Sequence, residues 1–139
     1  MEIWTKAYIN HLTYRIIGCA IKVHSSLGPG LLESVYEKCL IHELSLNSIQ
    51  TESQIRVPIT YEGFYLDADL RLDILIENAI VVEVKAAEAI NPVYEAQVLS
   101  YMKLLQKPKG IILNFCCTNI FREGQRTFVN DIFASLPEK

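Results

Sequence analysis

Three residues in the middle of the chain have the types and spacing that metal-dependent chemistry requires. Glu83 and Lys85 are two positions apart, so on an extended strand they share one face, because strand side chains alternate. Asp73 lies directly across from Glu83 if the intervening turn is an odd-length loop centred on Asn78, whereas a two-residue turn would send Asp73 to the other face. Two facing carboxylates repel unless a cation lies between them. The pattern predicts a divalent-metal site with an ammonium group beside it.

Two further polar residues fall within the apolar arcs of predicted helices. At about 100° per residue, a helix over residues 31–46 places Glu33 among leucines, and a helix over residues 92–106 places Gln97 beside Tyr101. A polar group in an apolar arc needs a partner, because burying it alone is costly. We therefore expect Glu33 to be at least partly buried near the other acids, and Gln97 to form a hydrogen bond in the interior.

Each of these residues also has a structural explanation. Asp73, Glu83 and Lys85 could form an ion-pair ladder on a sheet edge, while Glu33 extends to solvent and Gln97 caps a loop. For any single residue the structural explanation is preferred. For the set it is not, because two helices and a hairpin independently present polar groups that need one another.

The elements that position these residues follow from periodicity and turn signals. An apolar stripe at helical spacing predicts an amphipathic helix over residues 3–27, which the Gly28-Pro29-Gly30 turn must end. Alternation over residues 70–77, with Leu72 and Ile74 on the same face, predicts a half-buried strand. The remaining predictions are a strand over 54–61, a turn over 61–64 into a short strand, a strand over 80–85, a strand over 110–115, and a short strand with a last helical turn within 120–133. The order, roughly ααβββαβ, indicates an α/β fold in which helices cover a mixed β-sheet.

Composition limits the class of protein. A chain of 139 residues with 50% hydrophobic residues supports a single domain over residues 1–139. No apolar run is long enough to span a bilayer and the N-terminal stretch lacks a signal-peptide pattern, so a cytoplasmic location is expected. The net charge of -3 argues against a surface that attracts nucleic acid everywhere, although clustered metal-binding acids themselves lower the total. The four cysteines lack zinc-site spacing and are predicted to be reduced core residues, namely Cys19, Cys39, Cys116 and Cys117.

The run from Gly28 to Glu37, which reads GPGLLESVYE, resembles the signature of the GxxExxY proteins, a group within the PD-(D/E)XK nuclease superfamily. The resemblance continues in the family order through RLD at residues 71–73, EVK at 83–85, QVLSY at 97–101 and LNF at 113–115. It covers nearly the whole chain. One departure is Leu72, which stands where the superfamily usually has a proline before the first acid.

The resemblance implies a restriction-endonuclease-like core with Mg²⁺ or Mn²⁺ as the cofactor, since hard cations prefer oxygen ligands. The metal ligands that it implies are Asp73, Glu83, the carbonyl of Val84, and Glu33. A second ion between Glu33 and Asp73 is left open.

The same resemblance implies hydrolysis of phosphodiester bonds in nucleic acid, with DNA favoured over RNA, by a water that the ion activates. Lys85 would orient that water or offset charge on the phosphoryl group, and Gln97 and Tyr101 would hold the lysine and the water in place. A chain this short leaves little surface for reading bases, so sequence-tolerant binding or a homodimer is expected.

Two other functions are compatible with the sequence. One is a non-cutting module that keeps the nuclease fold and binds nucleic acid or another partner. The other is a structural or partner-binding domain that binds neither metal nor nucleic acid.

Overall fold

The centre of the computed structural model, which describes residues 4–67 and 69–139, is a five-stranded mixed sheet with helices packed on both faces. The helices are α1 (Lys6–Leu27), α2 (Glu33–Leu46), α3 (Pro92–Leu105) and α4 (Asp131–Ala134), with a π-helical turn at Ile120–Gly124. The strands are β1 (Thr51–Arg56), β2 (Ile59–Tyr61), β3 (Phe64–Leu66), β4 (Arg71–Ile76), β5 (Ile80–Lys85), β6 (Lys109–Asn114) and β7 (Gln125–Val129). In the sheet order β1-β4-β5-β6-β7, β5 and β6 are parallel and the other neighbours are antiparallel. The expected mixed α/β architecture is confirmed.

The first helix is capped at both ends by local contacts, and the second begins later than predicted. The side chain of Thr5 accepts the backbone N–H of Tyr8 in the first turn of α1. The helix ends at Leu27, and the capping residue Gly28 has a φ of 69°, which suits a residue without a side chain. The predicted start of this helix at Ile3 lies outside the described residues. The second helix begins at Glu33, two residues later than predicted, because Leu32 has extended backbone angles.

A buried tyrosine holds the turn between these two helices. Tyr36 is fully buried and stacks on Phe115, with ring centroids 4.5 Å apart and an interplanar angle of 9°. Its hydroxyl donates to the carbonyl of Gly28 at 2.5 Å and accepts the backbone N–H of Leu31 at 3.1 Å. The tyrosine of the GxxExxY-like run therefore has a structural role: it fixes the direction in which α2 leaves the turn.

The hairpin between β4 and β5 has the register that brings the two strand acids together. Ile74 pairs with Val82, and the strands are joined by a three-residue turn centred on Asn78. The odd-length loop is therefore confirmed. Continued by one residue, this register places Asp73 opposite Glu83.

The predicted half-buried character of β4 is wrong, because both of its faces are covered. Ile74 packs into the core beneath α1 and α2, whereas Leu75 and Leu72 both pack into the core beneath α3. The alternation is therefore shifted by one residue at Asp73, and Leu72 and Ile74 do not share a face. The neighbouring strand is irregular at the same level, since Gln54 in β1 has a φ of 52°.

Several smaller features differ from the predictions. The segment predicted as one strand over residues 54–61 contains parts of two, β1 and β2, and β2 pairs with β3 in a separate two-stranded hairpin. The short strand and the last helical turn predicted for the final segment are present as β7 and α4, with a π-helical turn before them. All four cysteines are free, and Cys19 is buried in the core. Cys39 and Cys117 are partly buried and pack against that core, so the core prediction is wrong for Cys116. No described helix has the length and apolarity needed to cross a membrane.

We predict that Tyr36→Phe lowers the free energy of unfolding by about 1–3 kcal/mol, because two backbone groups lose their partner while ring stacking is retained. Urea denaturation measures the change. Tyr14→Phe is the control, since the Tyr14 side chain is 76% exposed. An equal effect of both substitutions would show that the hydroxyl does not hold the turn.

Candidate functional site

Asp73 and Glu83 are joined by a reciprocal pair of hydrogen bonds between β4 and β5. The backbone N–H of Asp73 donates to Oε2 of Glu83 at 2.9 Å, and the backbone N–H of Val84 donates to Oδ2 of Asp73 at 2.9 Å. These bonds begin where the regular strand pairing ends, at Ile74 and Val82. The two carboxylates therefore lie between β4 and β5, where each accepts a backbone N–H of the other strand.

Glu83 is an acid in an unfavourable environment for its charge. Glu83 is only 3% exposed. Burial, followed by the negative charge of Asp73, raises the pKa of Glu83 from 4.5 to about 8, although the backbone N–H of Asp73 and the ammonium group of Lys85 act in the opposite direction. Near neutral pH this carboxylate therefore needs either a proton or a cation.

Glu33 is not buried with these acids. Glu33 is exposed, as are its apolar neighbours Leu32 and Val35. The expectation of burial is wrong because Glu33 is the first residue of α2, and in this turn only Tyr36 is buried. A carboxylate in this position still interacts favourably with the positive end of the helix dipole.

The helix acid that lies beside the strand acids is Glu37, one turn further along α2. Burial is the main cause that raises the pKa of Glu37, and its carboxyl group also interacts with that of Asp73. Glu37 was not among the predicted site residues. Its position at the border of the buried arc, one residue after Tyr36, was the available signal.

A side-chain amide from β1 contacts two of these acids. Nε2 of Gln54 is 2.9 Å from Oε2 and 3.2 Å from Oε1 of Glu37, and 3.4 Å from Oδ1 of Asp73. Gln54 was also missed, because nothing in the local sequence indicates a left-handed residue within a strand. The three acids thus form a row, Glu37, Asp73 and Glu83, with a neutral donor between the first two.

Lys85 lies on the α3 side of the sheet, at the end of β5. Its Nζ atom is 4.5 Å from the centroid of the Tyr94 ring, within the range of a cation–π contact. The ammonium group also acts on the carboxylate of Glu83. Lys85 is therefore restrained by an aromatic ring and lies within the field of the acids.

Gln97 and Tyr101 form a hydrogen-bonded pair on α3, as expected for a polar group in an apolar arc. Nε2 of Gln97 is 3.1 Å from the hydroxyl of Tyr101. Tyr101 as a residue is only 4% exposed. Burial raises the pKa of Tyr101, and the charges of Glu83 and Asp73 raise it further. The hydroxyl therefore lies close enough to the strand acids to sense their charge.

The donor set suits a hard cation, since the row of acids supplies carboxylate oxygens next to a buried charge. The carboxylates of this donor set are arranged in a row and do not surround a single point. Within residues 4–67 and 69–139, no three His, Cys, Asp or Glu side chains converge on one point as a ready metal site. A bound ion would therefore require a local rearrangement of the acids and of the groups that donate to them.

The fold and the site define a class of α/β protein in which acids and a lysine meet where two central strands separate. A family model described as the PD-(D/E)XK nuclease superfamily matches residues 10–127, and the chain belongs to that superfamily. The match includes every candidate site residue from Glu33 to Tyr101. No curated protein and no solved structure matches the chain at a significant level.

We predict that the metal-free protein loses stability as the pH rises from about 5 to about 8. The unfolded chain loses the Glu83 proton near pH 4.5, whereas the folded chain keeps it until about pH 8, so unfolding becomes easier across this range by at most about 1.4 kcal/mol per pH unit. Urea denaturation at several pH values in the presence of a chelator measures the slope.

The slope is expected to flatten in Glu83→Gln, because the amide oxygen can still accept a hydrogen bond and no proton is lost. The exposed Glu88 provides the control, Glu88→Gln. An unchanged slope in Glu83→Gln would contradict the assignment of this titration to Glu83.

Proposed function

We propose that the protein is a metal-dependent nuclease of the GxxExxY group that hydrolyses phosphodiester bonds of nucleic acid. The observation that carries the proposal is the buried carboxylate of Glu83, which shares the space between two strands with Asp73 and lies beside Lys85. Membership of the PD-(D/E)XK nuclease superfamily supports the same reaction class.

Mg²⁺ or Mn²⁺ is the proposed cofactor, held by the carboxylates of Asp73 and Glu83 and by the carbonyl of Val84. Glu33 was expected to be the helix ligand, but contact with Asp73 favours Glu37 in that role, with Glu33 adding negative charge one turn away. When bound, the ion would supply charge neutralisation and lower the pKa of a water molecule. At pH values below about 8, binding would also release the proton that Glu83 otherwise holds.

The remaining site residues orient the reactants. The Tyr94 ring restrains the ammonium group of Lys85, which is close enough to the acids to stabilise negative charge on a phosphoryl group. Gln97 holds the hydroxyl of Tyr101, and that hydroxyl can donate a hydrogen bond towards the same region. The proposed catalytic contribution of Lys85 is thus direct, and that of the α3 pair is positional.

The proposed substrate is DNA rather than RNA, and the proposed unit is one domain over residues 1–139 in the cytoplasm. A homodimer is included in the proposal. The face of the β2–β3 hairpin formed by Ile59, Tyr61, Phe64 and Leu66 is largely exposed, and a two-stranded hairpin gains stability when such a face is covered.

The alternative is a non-cutting module that binds nucleic acid or another partner through the nuclease fold. Its support is that the acids form a row with hydrogen-bond donors already in place, rather than a ready metal site. The net charge of -3 is also compatible with a partner other than nucleic acid.

The first test is cleavage of labelled single- and double-stranded DNA and RNA by the purified protein with Mg²⁺ or Mn²⁺. We expect cleavage, with Lys85→Ala reducing the rate by about 10²–10³-fold, because a preorganised cation near the developing charge is lost. The control is Lys103→Ala, which removes an exposed lysine from the end of α3.

Binding without cleavage in the unaltered protein would favour the non-cutting module. Equal cleavage by the Lys85→Ala and Lys103→Ala variants would retain the activity but remove Lys85 from it. Absence of both metal and oligonucleotide binding by calorimetry would favour a structural domain.

A second test separates the two helix acids. Glu37→Gln is expected to weaken Mn²⁺ binding and cleavage by at least about tenfold, since it removes the carboxylate that contacts Asp73, and loss of a metal ligand or its support typically has this size. Glu33→Gln, at an exposed position of the same helix, should have a smaller effect on both measurements. The reverse order would restore Glu33 as the helix ligand.

A further inference from the structure

Gln54 occupies the position between two acids at which a cation would reduce their repulsion. One nitrogen atom, Nε2, lies within hydrogen-bond distance of both oxygens of Glu37 and of Oδ1 of Asp73. Two N–H groups thus face three acceptor atoms of two carboxylates. An amide satisfies these acceptors as a donor, but it carries no net charge with which to offset theirs.

The backbone at Gln54 is adapted to this contact. Its neighbours Ser53 and Ile55 pair regularly with β4, whereas Gln54 itself has a φ of 52°, in the left-handed region. For a residue other than glycine this conformation costs about 1–3 kcal/mol and persists where surrounding contacts offset it. The contacts that do so here are those of the side-chain amide with the two acids.

Strand β4 is also irregular, at the position opposite Gln54. The alternation of β4 shifts at Asp73, which faces Gln54 across the β1–β4 pair in the continued register. The two irregularities together direct the Gln54 amide and the Asp73 carboxylate towards Glu37 of α2.

We propose that Gln54 is a positioning residue whose amide holds Glu37 and Asp73 together in the metal-free protein and is displaced when a divalent cation binds between them. The displacement step rests on the proposed function. Because Nε2 of Gln54 lies within hydrogen-bond distance of oxygens of both carboxylates, an ion bound between those carboxylates would take the position of the amide nitrogen. Gln54 would therefore lower the affinity of the site for a divalent cation.

The direct test observes the side-chain amide itself by NMR of the full chain labelled with ¹⁵N. The Gln54 signals are assigned by their loss in Gln54→Gly, and Mg²⁺ is added up to saturation as measured by calorimetry. We expect the Gln54 side-chain signals to shift on binding, and those of Gln50, an exposed glutamine before β1, to stay in place. Unchanged Gln54 signals at saturation would overturn the displacement.

The affinity of Gln54→Gly for Mg²⁺ distinguishes a competing amide from one that prepares the site. Glycine tolerates the positive φ, so the variant is expected to fold. If the amide competes, its removal strengthens binding by about fivefold, the equivalent of one net hydrogen bond. Weaker binding would overturn the proposal in favour of a preparatory role. Ser53→Gly, at the preceding exposed position, controls for added backbone freedom.

Failure of this inference can be distinguished from failure of the proposed function. If Mg²⁺ binds but the Gln54 signals do not respond, the metal site stands and the displacement does not. If no metal binds to the unaltered protein, the nuclease proposal fails and the displacement fails with it. The bridging contact has its own readout, because Glu37→Gln and Gln54→Gly should be non-additive in thermal stability without metal. Additive effects would overturn the bridge.

Discussion

The interaction on which the site depends is the repulsion between three neighbouring carboxylates, Glu37, Asp73 and Glu83. One of them is almost fully buried, where a charge is poorly solvated. The surrounding groups each offset part of the repulsion or of the burial cost: backbone N–H groups donate to the strand acids, the Gln54 amide bridges Glu37 and Asp73, and Lys85 provides a positive charge. Apolar residues at these positions would avoid this cost, so the presence of the acids points to a functional role.

The turn before α2 and the end of β5 are connected through the packing of one aromatic pair. Tyr36 holds the turn before α2 and stacks on Phe115, and the backbone N–H of Phe115 donates to the carbonyl of Lys85 at 2.9 Å. The residue that orients the helix acid is therefore in contact with the segment that holds the end of β5. This arrangement explains how a run of residues far from Lys85 in the sequence can belong to the same site.

The pairing of Asp73 with Glu83 could be predicted because a hairpin is local. The odd-length turn around Asn78 sets the register, and the register determines which side chains face each other. The interaction of Gln97 with Tyr101 was accessible for the same reason, since residues four apart on a helix are neighbours. The burial expected for Glu33 was wrong, because helical periodicity specifies a direction around the axis but not how far along the helix the buried face extends.

The sequence by itself determined the elements, the hairpin and the superfamily resemblance, because periodicity, turn chemistry and motif order are properties of short segments. Only the tertiary structure decided that Glu37 is the acid beside Asp73, that β4 changes face at Asp73, and that Gln54 bridges two acids. Each of these depends on how a helix is placed along a sheet or on a left-handed residue within a strand. Such features arise from contacts between distant segments, for which no local pattern exists in the chain.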